Sequence, residues 1–178
     1  MEENVSVWKA NLVNGLILGM IGIIYTLVLY FFNQTFNKTL GYLFFLIQIL
    51  ALFFLVKSYR DNYLHGFITY GRAVGAGVVI FLYCSIIAAI FSYLLYKFID
   101  TGLVEKSLSY SEELMQKRGL PQSAIDAGMN IQRKIMKPGI MAPLSIFGSM
   151  IYGTIMSLIV AIFVRKEGNP LIDAPEIK

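Results

Sequence analysis

Apolar and polar residues fall into long blocks along this chain instead of alternating. Four blocks are almost wholly apolar, at about 11–32, 40–56, 73–99 and 140–164. The third, Ala73 to Ile99, carries one charge, Lys97, near its end. As a helix rising about 1.5 Å per residue it reaches roughly 40 Å, more than the roughly 30 Å hydrocarbon core of a bilayer. The second block is the shortest, and Gln48 is its one strongly polar interior residue. A transmembrane strand would alternate apolar and polar positions in segments of about ten, and in lipid only a helix or a closed barrel satisfies its backbone. The pattern predicts an all-α, polytopic membrane protein. It is a four-helix transmembrane bundle forming a single domain over 1–178, with an extramembrane helical segment between spans three and four.

The stretches between the blocks complete the layout. Residues 33–39 form a polar turn. Asn33-Gln34-Thr35 and Asn37-Lys38-Thr39 match glycosylation acceptors there, but a turn so close to the bilayer is a poor acceptor. Residues 57–72 read as an interfacial connection, with Tyr59, Tyr63 and Tyr70 as an aromatic belt beside snorkelling Arg60 and Arg72. Residues 100–138 resemble soluble protein. One helical piece covers 105–118, Gly119-Leu120-Pro121 breaks it, and a second covers 122–137. On the second piece Ala124, Gly128, Ile131 and Ile135 share a face at spacings of three and four. That piece lies on the membrane surface, packs on the bundle, or is a solvated connector. The head, 1–10, is more acidic than a secretory signal and leads into an uncleaved anchor. Residues 167–178 form a loose tail.

Composition agrees with the pattern. The chain of 178 residues is 57% hydrophobic and 15% charged, against about 25% charged for a soluble domain. Its net charge of +4 suits anionic lipid headgroups. The basic residues flank apolar runs and make no basic face, which argues against a nucleic-acid partner. With both termini on one side, seven Lys and Arg fall there and eight on the other, so the count alone does not orient the chain. The 57–72 connection and Arg165-Lys166 are basic at the bilayer edge, which favours cytoplasmic termini.

Lipid tails are as apolar as leucine, so spans associate where small residues let backbones approach. The fourth span has one at every fourth position: Ser145, Ser149, Gly153, Ser157 and Ala161. The first has Gly15 and Gly19, and Gly71 and Gly75 open the third, with Ala73 and Gly77 beside them. These nine stripe positions are the expected helix-packing residues, for the bundle itself or for contact with a membrane-protein partner or a second copy.

Candidate chemistry is sparse. No Asp, Glu, Lys, Arg or His lies near the middle of a span, where such groups cost about 2.5–3.5 kcal/mol and are usually functional. His65 is the only histidine and has no second ligand at metal spacing. Cys84, the single cysteine, sits mid-span, where a thiolate is disfavoured. Asn11 and Asn14 share a helix face suited to interhelical hydrogen bonding. Arg60, Asp61 and Arg72 are the densest charge group near the bilayer. They are read as headgroup contact with a local ion pair or, more sharply, as a docking surface or phosphate clamp with Asp61 orienting Arg60. No catalytic residue, metal site or cofactor is expected.

Asn14-Gly15-Leu16-Ile17-Leu18-Gly19, Tyr59-Arg60-Asp61 with Gly66-Phe67-Ile68 and Gly71-Arg72-Ala73, Tyr96 to Asp100, and Ile146-Phe147-Gly148 carry a resemblance. Over nearly its whole length the chain resembles the domain-of-unknown-function family four-one-nine-nine, uncharacterised four-span bacterial inner-membrane proteins. The resemblance implies a multi-pass protein of the Gram-negative inner membrane and supplies no catalytic residues. It also suggests genomic company with a polyprenyl-phosphate glycosyltransferase system. The expected function is a non-enzymatic accessory or scaffold subunit packing against another envelope protein or itself. The alternatives are a small-molecule or lipid carrier with a cavity between spans, and a helper of that glycosyltransferase system.

Overall fold

The computed structural model describes residues 6–167. The chain runs α1 (Val7–Phe31), α2 (Lys38–Tyr63), α3 (Tyr70–Leu94), a π-helical turn (Leu95–Ile99), α4 (Gly102–Lys117), α5 (Gln122–Ile135) and α6 (Pro138–Val164). Four of these helices, α1, α2, α3 with its π turn, and α6, are long and apolar enough to cross a membrane. The expected loose tail lies almost wholly outside the described residues, as does the first half of the head.

Local chemistry sets the helix ends. Asn33 takes a left-handed φ of 53° and closes α1, with the Gln34 N–H reaching back to the Leu29 carbonyl at 2.8 Å. The side chain of Asn37 caps α2, accepting from the N–H groups of Thr39 and Leu40 at 3.0 and 3.4 Å. The Asn-x-Thr match at Asn37 is therefore a helix cap. α2 runs past the apolar block, through Arg60-Asp61-Asn62 to Tyr63, and so takes in half of the expected interfacial connection. It ends where His65 and Gly66 turn to φ 52° and 85°, with two N–H groups returning to the Arg60 carbonyl. Gly119, at φ 72°, makes the break between α4 and α5, where a side chain would be strained.

α3 is the central helix, packed against α1 on one side and α6 on the other. Its closest approaches are made through small residues. A Cβ at Gly15 would collide with Tyr83, one at Gly77 with Ser157, and one at Gly153 with the Phe81 ring. Gly19 meets Ile87 and Cys84 in ordinary contact. Ser157 and Ala161 are buried in the same seam.

Burial is lopsided. In α1 the buried residues stop at Gly19, in α2 they begin at Leu52, and in α6 they begin at Gly153. Because the helices alternate in direction, these segments all lie at the end that holds Ser6 and Arg165. The bundle is packed more tightly at that end and is looser, here called splayed, around α6 at the other, where α1 and α2 still meet through Tyr25 stacked on Phe44 at 4.8 Å. At the packed end, Ile68 and Lys166 pair as an antiparallel bridge through bonds of 2.8 and 3.0 Å.

α4 and α5 fold against each other over Leu108, Ile125 and Met129, with Met115 against Gly128. The buried face of α5 is therefore Ile125 and Met129, not the expected stripe. Ala124 and Ile131 of that stripe are exposed, Ile131 at 59%. The hairpin is tied to the splayed end by Phe36 stacked on Tyr110 at 5.0 Å, and by Asp100. The Asp100 carboxylate accepts from the Gly102 N–H at 3.0 Å and the Tyr30 O–H at 3.3 Å, and pairs with Lys106 at 3.4 Å.

Candidate functional site

At the packed end two of the three charged residues, Arg60 and Asp61, pair with each other. Arg60 Nη1 donates to the Val164 carbonyl at 3.0 Å, and Arg60 Nε pairs with Asp61 at 2.7 Å. A cation thus sits on the C-terminus of α6, where the orphan carbonyls and the helix dipole favour it. Arg60 thus ties α2 to the end of α6, with Asp61 paired to the same guanidinium. Arg72 is exposed in the first turn of α3 and forms no ion pair among the described residues. It lines a shallow pocket of about 330 Å³ with Thr69, Phe67, Lys166 and Glu167. Lys166 lies over the Phe67 ring at 5.2 Å. Arg72 makes no hydrogen bond or ion pair with Arg60 or Asp61.

Asn11 is fully buried and donates to the Val7 carbonyl at 3.0 Å. Asn14 donates to Asn11 Oδ1 at 3.0 Å and, more weakly, toward the Leu55 carbonyl at 3.5 Å. The pair joins α1 to α2 within the packed end. Tyr59, one helical turn beyond Leu55, is wholly buried with its hydroxyl unpartnered. His65 occupies the exposed turn that ends α2, and Cys84 is buried against α1. No cluster of three His, Cys, Asp or Glu occurs among the described residues.

Gly71 and Gly75 behave differently from the other stripe glycines. Both are exposed, and a Cβ on either would meet nothing within 4 Å. The expected packing through them is not made within this chain; Ala73, Ala76 and Gly77, on another face of α3, are used instead. On α6, Ser145 is likewise exposed and Ser149 half-buried, both in the splayed half.

The splayed end opens two lateral clefts beside the first half of α6. One, of about 300 Å³, lies between α3 and α6 around Ile86, Ile90, Tyr93 and Pro143. The larger, of about 690 Å³, lies between α2 and α6 and is lined by Lys38, Gly41, Tyr42, Phe44, Phe45, Gln48 and Tyr152. Its inner end holds a polar strut: the Tyr152 hydroxyl donates to Gln48 Oε1 at 3.0 Å. Gln48 stood out in the sequence as a lone polar residue. Tyr152, a hundred residues away, and the resulting groove did not.

The profile of the family described as "Protein of unknown function (DUF4199)" matches residues 14–166. The chain belongs to this family. In this DUF4199 protein the matched stretch runs from Asn14, in the α1–α2 contact, to Lys166, in the bridge to Ile68, and so takes in both the packed end and the groove. No curated protein and no solved structure matches the chain.

Proposed function

We propose that this four-span protein is a non-enzymatic accessory subunit of the bacterial inner membrane, holding a second membrane protein or a second copy of itself along α3. One observation carries the reading. Gly15, Gly77 and Gly153 are filled by neighbours from the same chain, whereas Gly71 and Gly75, also four residues apart, are open. Small residues in a span admit a neighbouring backbone, and an open pair is a place for a helix from outside. With the termini in the cytoplasm, that contact lies near the cytoplasmic surface. A polyprenyl-phosphate glycosyltransferase system is one class of partner to test.

A photoreactive residue in place of Gly75, activated in native membranes before gentle extraction, tests the proposal. The expected result is a discrete protein adduct that disappears when Gly71 is changed to Leu. Adducts with lipid alone, or the same adducts from a photoreactive residue at exposed Ile155 on α6, would end it.

A second reading, a carrier of a lipid or small amphiphile, is favoured by the α2–α6 groove. A tightly packed interior without a lateral opening would have argued against it, and the groove is such an opening.

A further inference from the structure

The geometry points to an anionic phospholipid as the occupant of the α2–α6 groove, its phosphate on Lys38 and one acyl chain running inward past Gly41 and Phe45 to the Gln48–Tyr152 strut. This rests on the second reading above, that the groove takes an amphiphile, and it names the class.

Three features select that occupant. The first is charge. Lys38 opens α2, lines the groove and forms no ion pair among the described residues. α2 has no acidic residue in its first turn. A cation at the positive end of a helix dipole is unfavourable alone, and an anion between the two offsets both. The second is length. From Lys38 to Gln48 is ten residues, about 15 Å along the helix axis and half of the roughly 30 Å hydrocarbon thickness. One acyl chain from a headgroup at Lys38 spans that distance. The third is shape. Gly41 leaves open space beside the helix, the walls are aromatic, and at the floor the Tyr152 hydroxyl is taken up by Gln48 Oε1. A chain without polar groups fits there, and the floor sets how deep it goes.

The test uses the full protein in nanodiscs, with phosphatidylglycerol or phosphatidylcholine of matched chains bearing a diazirine on one chain. Phosphatidylglycerol is expected to label the 41–48 segment and the Tyr152 region about fivefold more than phosphatidylcholine. That is the ratio one lysine at an anionic surface supports. Lys38→Glu is expected to abolish the preference, and Gly41→Phe to reduce labelling by both lipids. Neither residue is buried, so both variants keep the packed end intact. Equal labelling by the two lipids overturns the anionic assignment while the groove reading stands. No labelling of the groove by either overturns both. Displacement by inorganic phosphate at constant ionic strength would show a free-anion site and also overturn the assignment.

Discussion

Changing Gly77 to Ala probes the seam that holds the bundle together. The added methyl would sit 2.8 Å from Ser157 Cβ, and nearer still to its hydroxyl. Non-bonded carbons prefer about 3.5–4.0 Å, so α3 and α6 would have to part by about 1 Å. Overpacking of this kind costs about 1–3 kcal/mol, and the better helix propensity of Ala returns up to about 1 kcal/mol. A net loss of about 1–2 kcal/mol is expected. Gly75→Ala makes the same chemical change on the same helix, into open space, and should be neutral or slightly stabilising. Unfolding in detergent by titrated dodecyl sulfate, followed by circular dichroism, separates the two. Ser157→Gly in the Gly77→Ala background should recover most of the loss, because it vacates the space the methyl needs. Equal midpoints for Gly77→Ala and Gly75→Ala, or no recovery in the double variant, would refute the reasoning.

Other expectations can be checked on the same footing. Arg60→Met removes a charged hydrogen bond to the end of α6 and should cost about 1.5–3 kcal/mol, whereas Asp61→Asn, at a solvent-screened carboxylate, should lower stability far less than Arg60→Met; detergent unfolding reads both. Tyr59→Phe removes a buried hydroxyl without a partner and should raise stability by about 1 kcal/mol; a clear loss would contradict the geometry. Desolvation alone would raise the Asp100 carboxyl, but Lys106, the Gly102 N–H and Tyr30 together hold it below its usual value. A carboxylate lowered on folding contributes stability above its unfolded pKa of about 3.9, and loses it as pH falls through the folded value. Protection of the amides at the start of α4, measured against their intrinsic exchange rates, should therefore fall below about pH 4, and Asp100→Asn should remove that dependence.

Particular residues show what the sequence made legible. The four apolar blocks could be assigned as helices because lipid offers the backbone no other partner. The Gly119-Leu120-Pro121 break was equally plain, since φ at Gly119 suits Gly and Pro121 precedes a new first turn. Where α2 stops was less plain. Arg60 looked like the start of a loop because it is charged, yet a charged residue in the last turn of a span can stay helical and reach another helix end. The α5 face was ambiguous because two apolar stripes lie about 100° apart around that helix, and only Met115 and Leu108 of α4 decide which is covered. Spacing at every fourth residue marks a face of a span without naming its neighbour, so nothing along the chain separates filled Gly77 from open Gly75. The groove depends on Gln48 and Tyr152 meeting across two helices, which periodicity within one helix cannot express.

The central claim is that the four helices are packed at the end holding Ser6 and Arg165 and spread at the other. Spin-label distances in nanodiscs between α2 and α6 test it directly, with one pair at Lys57 and Phe163 and a second at Tyr42 and Ser145. The account predicts a short, narrow distribution for the first pair and a longer, broader one for the second. Two distributions alike in mean and width would contradict it.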